Sequence, residues 1–317
     1  MKLLLFLLLI SISAFGQNAL ELGRNFVENK EFDKAEKTLK SFVESNRVDK
    51  AGIELLGDAY GHQKKWEEAA EQYELLTEFE PNNANYHYKY GGALGMKALN
   101  INKLSAVLIV DDIKEAFLKA AELDPKHIET RWALVELYMQ LPAIVGGSKN
   151  KSLKYANELE ALSKVDGYLA KGYIFEYDKE PELAEKYYKM AIKVGGSYTC
   201  YEKLSKLYEY EKQPDKAIAN MEETEKVHKR NAMHYQIGKV CAEYNIQLEK
   251  GENCLLTYVE NYSAKDGVPK AWAYYRLAQI NKHRNQKDKA LKYINLAITD
   301  LPKINVFGEE KEEILAL

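Results

Sequence analysis

The stretch from Ala51 to Asn82, AGIELLGDAYGHQKKWEEAAEQYELLTEFEPN, constrains this chain more than any other. Leu56, Gly57 and Tyr60 recur at helical spacing; after a charged turn, Ala69, Tyr73 and Leu76 do the same, and Pro81 ends the pattern. The spacing predicts two short amphipathic helices joined by a turn. Gly57 and Ala69 are small, so the two helices can cross closely. Tyr60 and Tyr73 fill the space beside the crossing, and Pro81 stops the second helix. Such a pair cannot bury its apolar stripes alone and needs neighbours of the same kind.

The chain supplies them: about eight units share the pattern. In the first, from about Gln17 to Asp49, Leu22, Gly23, Phe26, Ala35 and Leu39 match, with Arg47 where the proline would stand. The third starts with Tyr90, Gly91 and Leu94, carries roughly ten extra residues, and resumes at Phe117, Ala120 and Pro125. That insertion, with its apolar run Leu104 to Val110, reads as longer helices or as a lip or docking edge. The fourth has Leu134 and Tyr138. Pro142 and Gly146-Gly147 then break the helix, and Ser148 is placed to cap the next one. The fifth carries Gly172, Phe175, Ala184, Tyr188 and Ala191; the sixth Leu204, Tyr208, Ala217 and Met221, joined to the fifth through Gly195-Gly196-Ser197, which reads as an interhelix cap. Ile237, Gly238, Gly251, Leu255 and Tyr258 mark a degenerate seventh, followed by a longer linker from Asn261 to Pro269. The eighth returns with Leu277, Ala278, Ala290, Ile294, Ala297 and Pro302. Apolar spacing stays near three and four throughout, and no stretch reads as strand.

The leucine-glycine pair, the tyrosine three residues on, and the following alanine, aromatic and proline resemble the tetratricopeptide repeat. The resemblance covers nearly all of the chain after Gly16. It implies an all-α, right-handed α-solenoid of about eight helix-turn-helix units over residues 17–302. Residues 303–317 are expected to cap it, with Ile314, Leu315 and Leu317 covering the last apolar face.

Met1 to Gly16, MKLLLFLLLISISAFG, combine one lysine, an apolar run and small residues at Ala14 and Gly16. They read as a secretory signal peptide cleaved before Gln17, the competing reading being an uncleaved anchor. Export is therefore expected, to a periplasm first and full secretion second, with no membrane span after cleavage. The formal net charge of −3 gives no field that would favour nucleic acid. Cys200, Cys241 and Cys254 follow no known spacing. The repeat register sets Cys241 and Cys254 about two helical turns apart, too far for a disulfide, so free thiols are expected.

Catalytic chemistry finds little support. The six histidines make no metal-binding pair, and most fall near helix ends or turns, where a solvated ring is expected. Ser148 and Ser197 lack the flanks of a nucleophile elbow. Glu67-Glu68 and Glu222-Glu223 are adjacent pairs that point apart on a helix. Gly146–Lys149 lacks the spacing of a phosphate loop. No cofactor or metal is expected, and the chain reads as non-enzymatic.

The resemblance implies instead a concave groove lined by the first helices and taking a protein or peptide. Carried onto this chain, the groove positions are Glu54, Asp58, Tyr88, Trp132 and Glu136, then Tyr173, Tyr177, Glu202, Lys206, Tyr235 and Lys239, and finally Trp272, Tyr275 and Gln279. The carboxylate clamp that some relatives use for C-terminal peptides is absent. The aromatic stripe suits a binding centre, and equally suits packing between repeats. Two functions follow: an exported scaffold assisting an envelope complex, or a small-ligand receptor in which the long third unit and the Pro142–Ser148 loop close over a pocket.

Overall fold

The computed structural model describes residues 19–317, so the expected signal peptide lies outside the described residues. The chain divides into two compact units, the first ending at Ser163 and the second starting at Lys164. The first unit contains α1 (19–28), α2 (Phe32–Ser45), α3 (Lys50–His62), α4 (Trp66–Phe79), α5 (Ala84–Asn100), α6 (Lys103–Leu108), α7 (Val110–Leu123), α8 (Ile128–Gln140) and α9 (Lys149–Leu162). The second contains α10 (Lys164–Tyr177), α11 (Pro181–Val194), α12 (Tyr198–Tyr210), α13 (Pro214–His228), α14 (Ala232–Tyr244), α15 (Leu248–Glu260), α16 (Lys270–His283), α17 (Lys287–Asp300) and α18 (Asn305–Leu315). No strand occurs among the described residues.

Each unit is a stack of four antiparallel hairpins, which makes the fold an all-α solenoid. In the first helix of most hairpins a glycine lies under a large side chain from the second. Gly57 lies under the Tyr73 ring, Gly91 under Phe117, and Gly23, Gly172 and Gly238 lie under Leu39, Tyr188 and Leu255. Fully buried alanines at 35, 69, 184, 217 and 290 occupy the matching small positions of the second helices. Closing the series, α18 packs Phe307 and Ile314 into one cluster with Tyr275, Ala278, Ile294 and Ala297.

The turns inside the hairpins obey a rule that the apolar spacing does not show. Lys30, Lys64, Lys179, Lys212, Asn245 and Asn285 all hold left-handed φ between 53° and 62°. The next N–H in each case reaches back to the carbonyl five residues earlier, as from Lys65 to Tyr60 at 3.0 Å and from Glu180 to Phe175 at 2.8 Å. This is the six-to-one bond of a Schellman cap, which satisfies a helix-end carbonyl and reverses the chain. Two hairpins lack it. There α5 and α8 end at Ile101 and Leu141 in extended conformation, and α6 and the 142–148 loop follow.

The extra residues of the third hairpin both lengthen α5 to 17 residues and form the separate helix α6, so a longer helix accounts for only part of them. Ser148 caps α9 by accepting from the Lys151 N–H at 3.3 Å. Ser197 does not cap α12 through its side chain; its Oγ meets Cys200 Sγ at 3.3 Å. The 261–269 linker is pinned, because Asn231 Nδ2 donates to Tyr258 O and to Asp266, both at 3.2 Å. Two histidines expected in solvent instead tie hairpins together: His228 Nε2 donates to Gly196 O and His283 Nε2 to Ala242 O, both at 3.0 Å.

All three cysteines are free thiols. The offset between two of them is shorter than the register implied. Cys241 lies against Gly251, where an added Cβ would come within 2.5 Å of the Cys241 Cβ. Cys254 is thus about one turn further on, roughly 4.5 Å along the axis. Burial first, and then the Cys254 thiol, push Cys241 up to about 11.

Candidate binding surfaces

The charged positions expected to greet a partner are largely engaged with one another. In the first unit, Lys89 Nζ on α5 donates to Glu54 and Asp58 on α3, both at 2.7 Å, and the Tyr73 hydroxyl donates to Asp58 at 2.7 Å. Burial alone would lower the Lys89 ammonium; the Asp58 and Glu54 carboxylates outweigh it and hold the group above its ordinary value. Burial, reinforced by Asp58, pushes the Tyr73 phenol far up. Glu54 and Asp58 therefore join neighbouring hairpins.

A longer ladder runs over the first helices of the second unit. Lys239 on α14 donates to Glu209 on α12 at 2.9 Å, and Arg276 on α16 to Glu243 on α14 at 2.5 Å. Gln279 accepts from Arg276 at 2.8 Å, donates to the Tyr275 hydroxyl at 2.9 Å, and reaches Glu310 on α18 at 3.2 Å. Lys282 closes the series against Glu310 at 2.7 Å and Glu313 at 2.6 Å. The paired residues of neighbouring helices lie 28 to 33 positions apart in sequence, about one repeat, so the ladder fixes repeat register.

The aromatic stripe separates into core and surface. Tyr235 and Tyr275 are each only 6% exposed. Tyr235 packs on Tyr258 with ring centroids 5.4 Å apart, and Tyr275 on Phe307 at 5.2 Å. Trp272 lies beside Tyr275, edge-on to Phe307 at 5.0 Å. As groove candidates Tyr235 and Tyr275 are corrected to core residues, because a later element covers each ring, α15 through Tyr258 and α18 through Phe307. Tyr173 and Tyr177 pair on α10 at 6.1 Å, and Tyr177 is half exposed. Trp132 is half-buried on α8.

Two recesses gather the remaining candidates. In the second unit, Lys206 and Lys239, with Tyr198, Glu202 and Glu209, rim a cleft of about 270 Å³ between α12, α13 and α14. Its floor is Met221 and Met233, both buried. Lys206 itself is exposed and pairs with Glu202 one turn back at 2.8 Å. In the first unit, Tyr88 and Glu136 line a cavity of about 680 Å³ bounded by α5, α6, α7, α8 and the start of the 142–148 loop. The Tyr88 ring sits 6.1 Å from Phe117 and 5.1 Å from His127. No cluster of three metal-ligating side chains occurs among the described residues, and no described helix is long and apolar enough to cross a membrane.

Sequence comparison assigns two segments. Tetratricopeptide repeat profiles match residues 20–94 and residues 273–299. Over 70 residues the chain is 34% identical to the tetratricopeptide repeat protein 30 homolog of Drosophila melanogaster, a match covering 22% of this chain. It spans only 10% of that curated relative. Among solved structures, a tetratricopeptide repeat protein from Parabacteroides merdae ATCC 43184 superimposes with a TM-score of 0.51. That match covers 95% of this chain and 98% of the other, at 14% identity. YrrB, described as a TPR protein with an unusual peptide-binding site, matches at a TM-score of 0.45 and 16% identity, over 62% of this chain and 98% of its own. The chain is therefore similar in sequence to tetratricopeptide repeats over those two segments, and it shares the fold of a solved tetratricopeptide repeat protein over nearly its whole length.

Proposed function

We propose that this chain is an exported, non-enzymatic scaffold that docks a protein or peptide on the first helices of its second unit and helps to assemble an envelope complex. Tetratricopeptide repeat arrays generally act as protein-interaction scaffolds, which supports the class of function. The export reading draws on the sequence of Met1–Gly16 alone. The observation that carries the docking reading is the cleft at Lys206 and Lys239. Two first helices converge there on a methionine floor, and charges of both signs rim it. Methionine is polarizable and unbranched, and it adapts to irregular apolar side chains. Lysine and glutamate at the rim select the flanking charges of the same segment.

The test is cross-linked co-purification from native cells, using a C-terminally tagged protein beside a Tyr177→Ala/Lys206→Glu double variant. Both side chains are exposed, so helicity and melting temperature should be retained. The expected result is a stoichiometric partner that the variant loses at least about tenfold, the scale at which one or two interface anchors contribute. Undiminished capture by the variant would remove this face from the reading. Absence of any stoichiometric partner would remove the scaffold itself.

A further inference from the structure

We propose that the first unit binds the hydrocarbon chain of a free, single-chain carboxylate amphiphile of the fatty-acid class in the cavity between α5, α6, α7 and α8. The volume of about 680 Å³ falls in the range of small-molecule sites, roughly 300–1,000 Å³. Its floor is a stripe on α5 at helical spacing, Tyr88, Gly92, Gly95 and Leu99. Gly23, Gly57, Gly91, Gly172 and Gly238 on first helices are each covered by a side chain of the second helix, as Gly57 is by Tyr73. A Cβ added at Gly92 or Gly95 would meet nothing within 4 Å. Packing therefore gives no reason for these two glycines, whereas an open cavity does. They also cost helix stability, since glycine is a poor helix former.

The lining chooses the ligand. Apart from Tyr88 and Phe117, which pack on each other at one end, its apolar side chains are all aliphatic or methionine. A planar aromatic ligand would find few ring faces there. An extended peptide brings an N–H and a C=O with every residue, and each needs a partner once buried. The lining holds only four side chains with polar ends. A flexible alkyl chain asks for none. Lys103, the one cationic side chain of the lining, is exposed at the rim and offers a carboxylate head its counter-charge.

The helix that borders the cavity is itself unusual. None of the six residues of α6 is buried, and Leu104 and Leu108 are 84% and 80% exposed, with Leu99 at 68%. Apolar side chains left in water around a recess mark a site for an apolar ligand. The proposal is independent of the scaffold reading, which concerns the other unit.

Titration of the full-length protein with cis-parinaric acid, an intrinsically fluorescent fatty acid, tests it. Saturable one-to-one binding is expected. Gly95→Leu should weaken it at least about tenfold by filling the recess, while leucine's better helix propensity keeps melting temperature level or higher. Val107→Asp, on a helix with no buried residue, should abolish binding with the fold intact, and Lys103→Glu should weaken it several-fold. Absence of saturable binding, or full binding by both folded Gly95→Leu and Val107→Asp, would overturn the proposal. So would protein that floats with phosphatidylcholine vesicles yet ignores the monomeric probe, because the exposed leucines would then serve a membrane surface.

Discussion

At Gly57 a single hydrogen stands where any other residue would place a carbon against the Tyr73 ring. An added Cβ would come within 2.7 Å of that ring. The ring cannot retreat freely, because its hydroxyl is held by Asp58, which also pairs with Lys89 on the next hairpin. Gly57→Leu should therefore lower stability by at least about 1–3 kcal/mol, the usual cost of overpacking. Thermal melting by circular dichroism reads this, and an unchanged midpoint would show that the Tyr73 ring does not lie on Gly57. Single residues also show where reading a binding stripe from sequence stops. Tyr177, Tyr235 and Tyr275 all lie on first helices, Tyr177 as the last residue of α10 and the other two in the first halves of α14 and α16. Tyr235 and Tyr275 are covered by Tyr258 and Phe307, whereas Tyr177 stays half exposed. Helical spacing names the side of a helix; burial depends on which ring a later element brings over it.

At the scale of elements, the hairpins were legible because the same small-on-large contact recurs in most of them, as Gly57 on Tyr73 and Gly172 on Tyr188. The turns were not legible, because a lysine in a charged run looks like any solvated lysine. Lys64 and Lys179 carry φ of 62° and 61°, a conformation that costs an L-residue roughly 1–2 kcal/mol. Part of a glycine's advantage there is lost to its greater freedom in the unfolded chain. Lys64→Gly and Lys179→Gly should each stabilise by about 0.5–1 kcal/mol, whereas Lys64→Val should destabilise. Denaturant midpoints at unchanged slope are the measurement, and equal midpoints for the glycine and valine variants would contradict the left-handed turn. The apolar cavity was out of reach for a similar reason. Gly91 is a packing glycine and Gly92 an open one, and only the placement of α6 and α7 makes them different.

At the scale of the whole fold, several buried tyrosine hydroxyls and partly buried lysines among the described residues are set against carboxylates, as Tyr73 on Asp58, Tyr188 on Glu176 and Lys89 on Glu54 and Asp58. This gives stability a direction in pH. Burial and Glu176 push the Tyr188 phenol far above its ordinary 10.0, its hydroxyl donating to Glu176 at 2.5 Å. Tyr73 is displaced in the same sense, and Tyr90 and Tyr258 are pushed up to about 12 by burial first. Lys89, Lys239 and Lys282 also lie above 10.5; burial opposes the shift in each, and neighbouring carboxylates outweigh it. A group that holds its proton more tightly when folded contributes stability that is intact below its unfolded value. That contribution is lost as pH rises through the folded one. All of these groups therefore weaken the fold from about pH 10 upward. On the acid side, Glu36 and Glu185 are lowered, burial opposing and lysine hydrogen bonds prevailing, so their contribution fades as pH falls below 4.5. The alkaline limb should be the steeper, because its groups include the deeply buried Tyr73 and Tyr188 paired to carboxylates. Tyrosinate absorbance followed together with helicity should rise in two phases, exposed rings near their ordinary value and a delayed set that ionises only as helicity collapses. Tyr188→Phe should diminish the delayed phase. A single phase near pH 10 with helicity preserved would mean that the buried hydroxyl–carboxylate pairs do not form.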